Sequence, residues 1–154
     1  MINKYIFLIL LSVNFLNFNS KMNNNITVTV STDKSQYSLD EKILLNFKIS
    51  NDTEKRIKVC KILTPCEGFM GDFFNIKNNT KDKSLKYMGP MVKREKPTGE
   101  DFIEIGPNDF IICTINLREA YIFKDPGIYS IQFKGKRVNK LPDSNNITLE
   151  LHND

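Results

Sequence analysis

Ile43-Leu44-Leu45-Asn46-Phe47-Lys48-Ile49-Ser50 decides the fold. Ile43, Leu45, Phe47 and Ile49 fall on one side of a period-two pattern. Leu44, Asn46, Lys48 and Ser50 fall on the other. Successive side chains of an extended chain point to opposite faces, so this run is a strand with one face in a core and the other facing water. Upstream, Ile26, Val28 and Val30 alternate with Thr27 and Thr29, and Ser31 to Ser35 form a turn cluster. Downstream, Asn51-Asp52-Thr53-Glu54 is a short polar turn. Arg56 to Leu63 then returns with Ile57 and Val59 on one face, which reads as the second arm of an antiparallel hairpin.

The alternation resumes further out. Phe74 and Ile76 share a face within Asp72–Lys77, and Asn78 to Ser84 reads as a solvated loop. Leu85 to Val92 is extended, interrupted by Gly89-Pro90. Phe102 to Ile105 is a short strand closed by Gly106-Pro107-Asn108-Asp109. Ile111, Cys113, Ile115 and Leu117 share one face, and Arg118 to Lys124 has room for one helical turn. Tyr129, Ile131 and Phe133 point inward, and so do Ile147, Leu149 and Leu151 after a polar, basic loop from Gly135 to Asn146. No long amphipathic helical pattern is present. Seven to nine short strands with turn chemistry between them predict an all-β, immunoglobulin-like antiparallel β-sandwich. Asp125-Pro126-Gly127-Ile128-Tyr129 sharpens this. Tyr129 stands where such sandwiches place a tyrosine corner, whose hydroxyl bonds back to the corner backbone. Ile131 occupies the position of the Cys in antibody domains, so their inter-sheet disulfide is not expected.

Composition bounds the rest. The chain has 154 residues, 40% hydrophobic and 26% charged, a balance suited to one globular domain. Eleven Phe and five Tyr supply core area in the absence of Trp. A net charge of +4 is a solvated surface before it is a nucleic-acid footprint, and no nucleic-acid partner is expected. Residues 1–20 read as a secretory signal peptide: Lys4, then the apolar run Tyr5 to Val13, then Ser20 near the cut. The run is well short of the roughly 20 residues that span a bilayer. The domain is therefore expected over 21–154, without a transmembrane segment, secreted or extracellular (periplasmic in a bacterium). Asn25, Asn51, Asn78 and Asn146 each open an Asn-x-Thr glycosylation sequon.

The inventory of reactive groups is short. There is no His-Glu-x-x-His, no glycine-rich phosphate loop and no Gly-x-Ser-x-Gly. The single histidine, His152, is the third residue from the end. Cys60, Cys66, Cys113 and His152 form a conceivable Cys3His zinc set, but Cys60 and Cys66 are more widely spaced than a zinc knuckle. No catalytic residue, metal or cofactor is expected. Cys113 is expected in the core, and Cys60–Cys66 is the expected disulfide, closing a short loop in an oxidising compartment. Glu67 is expected to bond turn amides, and Asp72 to cap or pair. The basic run Lys77, Lys81, Lys83, Lys86, Lys93, Arg94 and Lys96 is either a solvated strand edge or a surface for acidic glycans.

Thr64 to Arg94 is more specific than a generic sandwich requires. It carries Thr64-Pro65-Cys66-Glu67-Gly68, Asp72-Phe73-Phe74 and Tyr87-Met88-Gly89-Pro90-Met91-Val92-Lys93-Arg94. Pro97-Thr98-Gly99-Glu100-Asp101-Phe102, Asn116-Leu117-Arg118-Glu119-Ala120-Tyr121 and Pro126-Gly127-Ile128-Tyr129 come after it. In this order the motifs resemble the N-terminal domain of peptidyl-Lys metalloendopeptidases of the deuterolysin (M35) family, with Cys66 as a departure. The zinc-binding residues of that family have no counterpart here. The resemblance therefore implies its β-sandwich accessory domain alone: a non-catalytic module that binds a metallopeptidase and inhibits, chaperones or positions it. The alternative is a surface module that binds glycans or another protein through its basic face. The candidate binding surface is Glu67, Lys83, Lys86, Tyr87, Lys93, Arg94 and Lys96. Phe73, Phe74 and Tyr87 are expected to face the core or a domain contact.

Overall fold

The computed structural model describes residues 25–92, 96–135 and 141–153. Residues 1–20, expected to be a signal peptide, and Lys93 and Arg94 lie outside the described residues. Ten strands are seen there: β1 (Ile26–Thr32), β2 (Gln36–Ser38), β3 (Leu44–Asn51), β4 (Ile57–Cys60), β5 (Phe74–Asn78), β6 (Lys83–Ser84), β7 (Phe102–Ile105), β8 (Asp109–Asn116), β9 (Gly127–Phe133) and β10 (Ile147–His152). They form sheets ordered β1-β3-β8 and β2-β10-β9-β5-β6, with a separate β4-β7 pair. The count exceeds the expected seven to nine because β2 and β6 have three and two residues, too few to display alternation. All pairings are antiparallel except β2 with β10, which is parallel.

The period-two reading of β3 holds in space. Ile43, Leu45, Phe47 and Ile49 are fully buried, each contributing about 1.5–3 kcal/mol of apolar burial. The inward faces of the two larger sheets meet through aromatic rings. Phe47 of β3 lies edge-on to Phe133 of β9 at 4.8 Å, and Phe133 packs against Phe74 of β5 at 5.9 Å. Tyr129, Ile131, Leu149 and Leu151 complete that layer.

The expected hairpin between β3 and the returning Arg56–Leu63 strand does not form. β3 pairs with β1 and β8, and β4 crosses to pair with β7. The turn after β3 is real, but Asn51 redirects it. The Asn51 side-chain amide, fully buried, donates to Lys55 O, Ile105 O and Gly106 O, at 2.8, 3.1 and 2.8 Å. These bonds tie the turn to the end of β7 rather than letting the chain fold back on β3. On the other side, Asn145 acts as a substitute strand for the outer edge of β1. Its side chain accepts from Val30 N at 2.8 Å and donates to Val30 O at 3.0 Å, which blunts an edge otherwise open to pairing.

Tyr129 is buried, and its hydroxyl donates to Asp125 O at 2.7 Å, the tyrosine-corner bond. Its ring packs on Phe123 at 5.1 Å. Tyr129→Phe removes the hydrogen bond but keeps the ring. It is expected to cost about 1 kcal/mol and to lower the thermal midpoint by about 4 °C, read by circular dichroism. An unchanged midpoint would show that the corner is held by packing alone.

Candidate binding surface

The Thr64–Val92 stretch divides into an interior corner and an exposed run. Pro65 cannot continue β4, and the chain makes two 3-10 turns, Lys61–Leu63 and Pro65–Glu67. Thr64 joins them: its hydroxyl donates to Lys61 O at 2.6 Å and accepts from Cys66 N at 3.4 Å. Gly68 leaves the second turn at φ +87°, a conformation that favours glycine. Phe69, Phe73 and Phe74 then enter the core. Phe69 lies edge-on to Phe74 and Tyr121, at 6.2 and 5.9 Å. Tyr121 anchors this corner. Its hydroxyl donates to Asp72 Oδ1 at 2.8 Å and accepts from Phe74 N at 3.1 Å. Burial, then the Asp72 bond, holds the phenol protonated far above its ordinary range. Asp72 also pairs with Lys134 at 2.6 Å.

The disulfide differs from expectation. Cys66 bonds Cys113 of β8, with Cα atoms 5.5 Å apart, and Cys60 keeps its thiol, buried at the end of β4. Cys66 sits inside the second 3-10 turn, which lies against β8 and brings it to Cys113 rather than to the end of β4. Cys113 is therefore not a core thiol but half of a cross-link on a half-buried strand position. With two of the three cysteines oxidised, the Cys3His zinc set is dismantled. His152 is engaged elsewhere, its Nδ1 2.9 Å from Tyr37 O.

Beyond the corner, Tyr87 forms an isolated bridge with Tyr121, and Met88 N donates to Ala120 O at 2.8 Å. The Tyr87 ring packs on Tyr121 at 5.7 Å, and its hydroxyl donates to Pro90 O at 2.6 Å, curling the run back. A Cβ on Gly89 would meet the Tyr87 hydroxyl at 2.7 Å and Ala120 Cβ at 3.1 Å, so the curl needs glycine there. The apolar side chains of this run turn outward: Met88, Met91 and Val92 are 64%, 82% and 48% exposed.

Beside this run lies a groove of about 380 Å³, between Lys83–Met88 and Ile122–Asp125, with Asn78 and Tyr129 also in its lining. Its walls combine Leu85, Met88 and Ile122 with Lys83, Lys86 and Lys124. Asp125 is the acidic group of the lining, and it is bound to Lys81 at 2.6 Å. The Lys81 hydrogen bond outweighs the opposing effect of burial and, with lesser help from the charges of Lys81, Lys83 and Lys124, holds its carboxyl below the ordinary range. The expected surface residues therefore separate. Lys83 and Lys86 meet at the groove, with Tyr87 next to it in the chain. Glu67 sits on the corner, paired with Lys61 at 3.3 Å rather than with turn amides. Lys96 is exposed and is not among the groove residues. Met88, Ile122 and Lys124 were not expected at the surface site from sequence. Ile122 had a signal, an apolar residue out of phase between two buried aromatics, Tyr121 and Phe123. Lys124 had none, because only tertiary folding brings it opposite Lys83.

No protein-family model matches the chain, and no curated protein matches it. Among solved structures, the CARDB domain of a Pyrococcus furiosus protein aligns with TM-score 0.42 at 10% identity, over 84% of this chain and 95% of that domain. A β-glucosidase from Listeria innocua aligns with TM-score 0.43 at 9% identity, over 82% of this chain but 16% of the enzyme. A putative lipoprotein from Bacillus subtilis aligns with TM-score 0.31 at 14% identity, over 82% of this chain and 34% of that one. At these values the likeness carries no argument about kinship, activity or ligand. The all-β sandwich rests on the chain's own strand pairing.

Proposed function

We propose that this chain is a secreted, non-catalytic binding module of the kind that accompanies M35 lysine-specific metallopeptidases. In this reading it docks such a peptidase through the Tyr87–Val92 face. One observation carries the reading. Half of the motif-bearing stretch is interior and explains itself as packing, but Met88, Met91 and Val92 are held outward by a specified backbone. Exposed apolar side chains on an ordered scaffold mark contact surfaces, and methionine adapts well to a partner's shape. The glycan reading is the weaker one. Two lysines of the basic run are already neutralised, Lys77 by Asp82 and Lys81 by Asp125.

Titration calorimetry with the catalytic domain of an M35 lysine-specific metallopeptidase tests this. Micromolar or tighter binding is expected, weakened about tenfold or more by Met91→Asp. The exposed position makes a folding defect an unexpected cause, and circular dichroism of the variant checks it. Absence of binding by the native chain at micromolar concentration removes the peptidase reading.

A further inference from the structure

The Lys83–Met88/Ile122–Asp125 groove has a composition that selects among ligands. We propose that it binds an extended acidic peptide segment of a partner protein, with carboxylates against Lys83, Lys86 and Lys124 and an apolar side chain against Met88 and Ile122. The proposal rests on the binding-module reading and specifies the chemistry of its partner.

Charge complementarity is the first argument. Lys83, Lys86 and Lys124 have no ion-pair partner among the described residues, whereas Lys77, Lys81 and Lys134 are each matched to a carboxylate. The one acid of the lining, Asp125, is occupied by Lys81. The groove is therefore left with uncompensated positive charge, which attracts and orients an acidic ligand.

The second argument is the apolar wall. Met88 and Ile122 are 64% and 49% exposed on the two rims, and the cavity lies within the roughly 300–1,000 Å³ of small ligand sites. A peptide with alternating acidic and apolar side chains presents both chemistries at the period of an extended strand. A sulfated glycan would use the lysines but not the apolar rims. The one aromatic ring in the lining, Tyr129, is buried and offers no stacking platform.

The test is fluorescence anisotropy of the full chain with a short labelled peptide in which Glu alternates with Leu. A Lys-for-Glu version of the peptide and dextran sulfate serve as competitors. The acidic peptide is expected to bind, and to weaken as salt rises from about 50 to 500 mM. Affinity is expected to fall about tenfold or more in Lys83→Glu/Lys124→Glu, and several-fold in Met88→Ser. Lys55→Glu, outside the groove, leaves it unchanged. Lys83→Gln/Lys124→Gln, with an intermediate loss, separates a charge effect from misfolding. Failure of the acidic peptide to bind, equal binding of the basic peptide, binding of dextran sulfate without the peptide, or indifference to both the lysine and the Met88 variants overturns the proposal. Peptidase binding, read through Met91→Asp, is scored separately. Its survival alongside peptide failure strikes the groove assignment alone, and its loss alongside peptide binding strikes the peptidase alone.

Discussion

Removing the Cys66–Cys113 cross-link, by reduction or by Cys113→Ala, lowers unfolding stability by about 2–4 kcal/mol. The bond joins residues 47 apart in sequence. In the chain-entropy account, a loop of that length restricts the unfolded ensemble by about 4 kcal/mol, from which native strain subtracts. Domains of this size have only about 5–15 kcal/mol of net stability, so reduction removes a large share. The consequence is also local. The 3-10 turn Pro65–Glu67 is held on β8 by this bond, and β8 otherwise presents a sheet edge with Phe110 and Ile112 half exposed. The urea midpoint with and without dithiothreitol measures the effect. Thiol counting in denaturant discriminates the pairing: one thiol in the native sequence and none in Cys60→Ala. Free thiols in Cys60→Ala would restore the Cys60–Cys66 pairing and sink this one.

Asn51→Ala is expected to cost about 3 kcal/mol, well above the usual surface substitution. It strips a donor from Lys55 O, Ile105 O and Gly106 O at once. It also removes the acceptor of Thr53 N and of the Thr53 hydroxyl, at 3.2 and 2.7 Å. Some of these groups reach water after the change. Ile105 O, whose bond to Asn51 is buried, does not without opening the turn. Urea denaturation measures the loss, and a cost under about 0.5 kcal/mol contradicts the role given to Asn51. The same geometry bears on the sequons. A glycan on Asn51 would occupy the nitrogen that makes these bonds, and Asn78 is equally buried, whereas Asn25 and Asn146 are exposed. If the chain is exported through a glycosylating pathway, the folded protein is expected to carry glycan at Asn25 and Asn146 and not at Asn51 or Asn78. Glycopeptide mapping that finds Asn51 occupied in folded protein overturns this.

The corner and the groove differ in how far they could be read from residues alone. Pro65, Gly68 and the aromatics of the Thr64–Phe74 segment announce a turn entering a core, because proline, glycine and large apolar side chains each have few places to go. A 3-10 turn, Leu117–Glu119, overlaps the helical turn expected within Arg118–Lys124, and Tyr129 stood in the corner position it occupies. The groove was half visible. Lys83 and Lys86 belong to one local run, but Lys124 and Ile122 come from a segment about 40 residues away in sequence. Nothing local distinguishes Lys124 from any solvated lysine.

Period-two alternation committed β3, β8, β9 and β10 to strands and assigned each an inward face, since the pleat makes facing a property of sequence parity. It could not name neighbours. Parity says which side of a strand is apolar, not which strand lies beside it, so the β3–β4 hairpin and the Cys60–Cys66 bond were inferred from closeness along the chain. Both were decided by contacts that exist only once the sheets pack. Asn51 reaches the end of β7, and β8 presents Cys113 to Cys66. The same is true of the outward turn of Met88, Met91 and Val92. Their apolar character alone predicts burial, and only the Tyr87–Pro90 curl against Tyr121 places them on the surface.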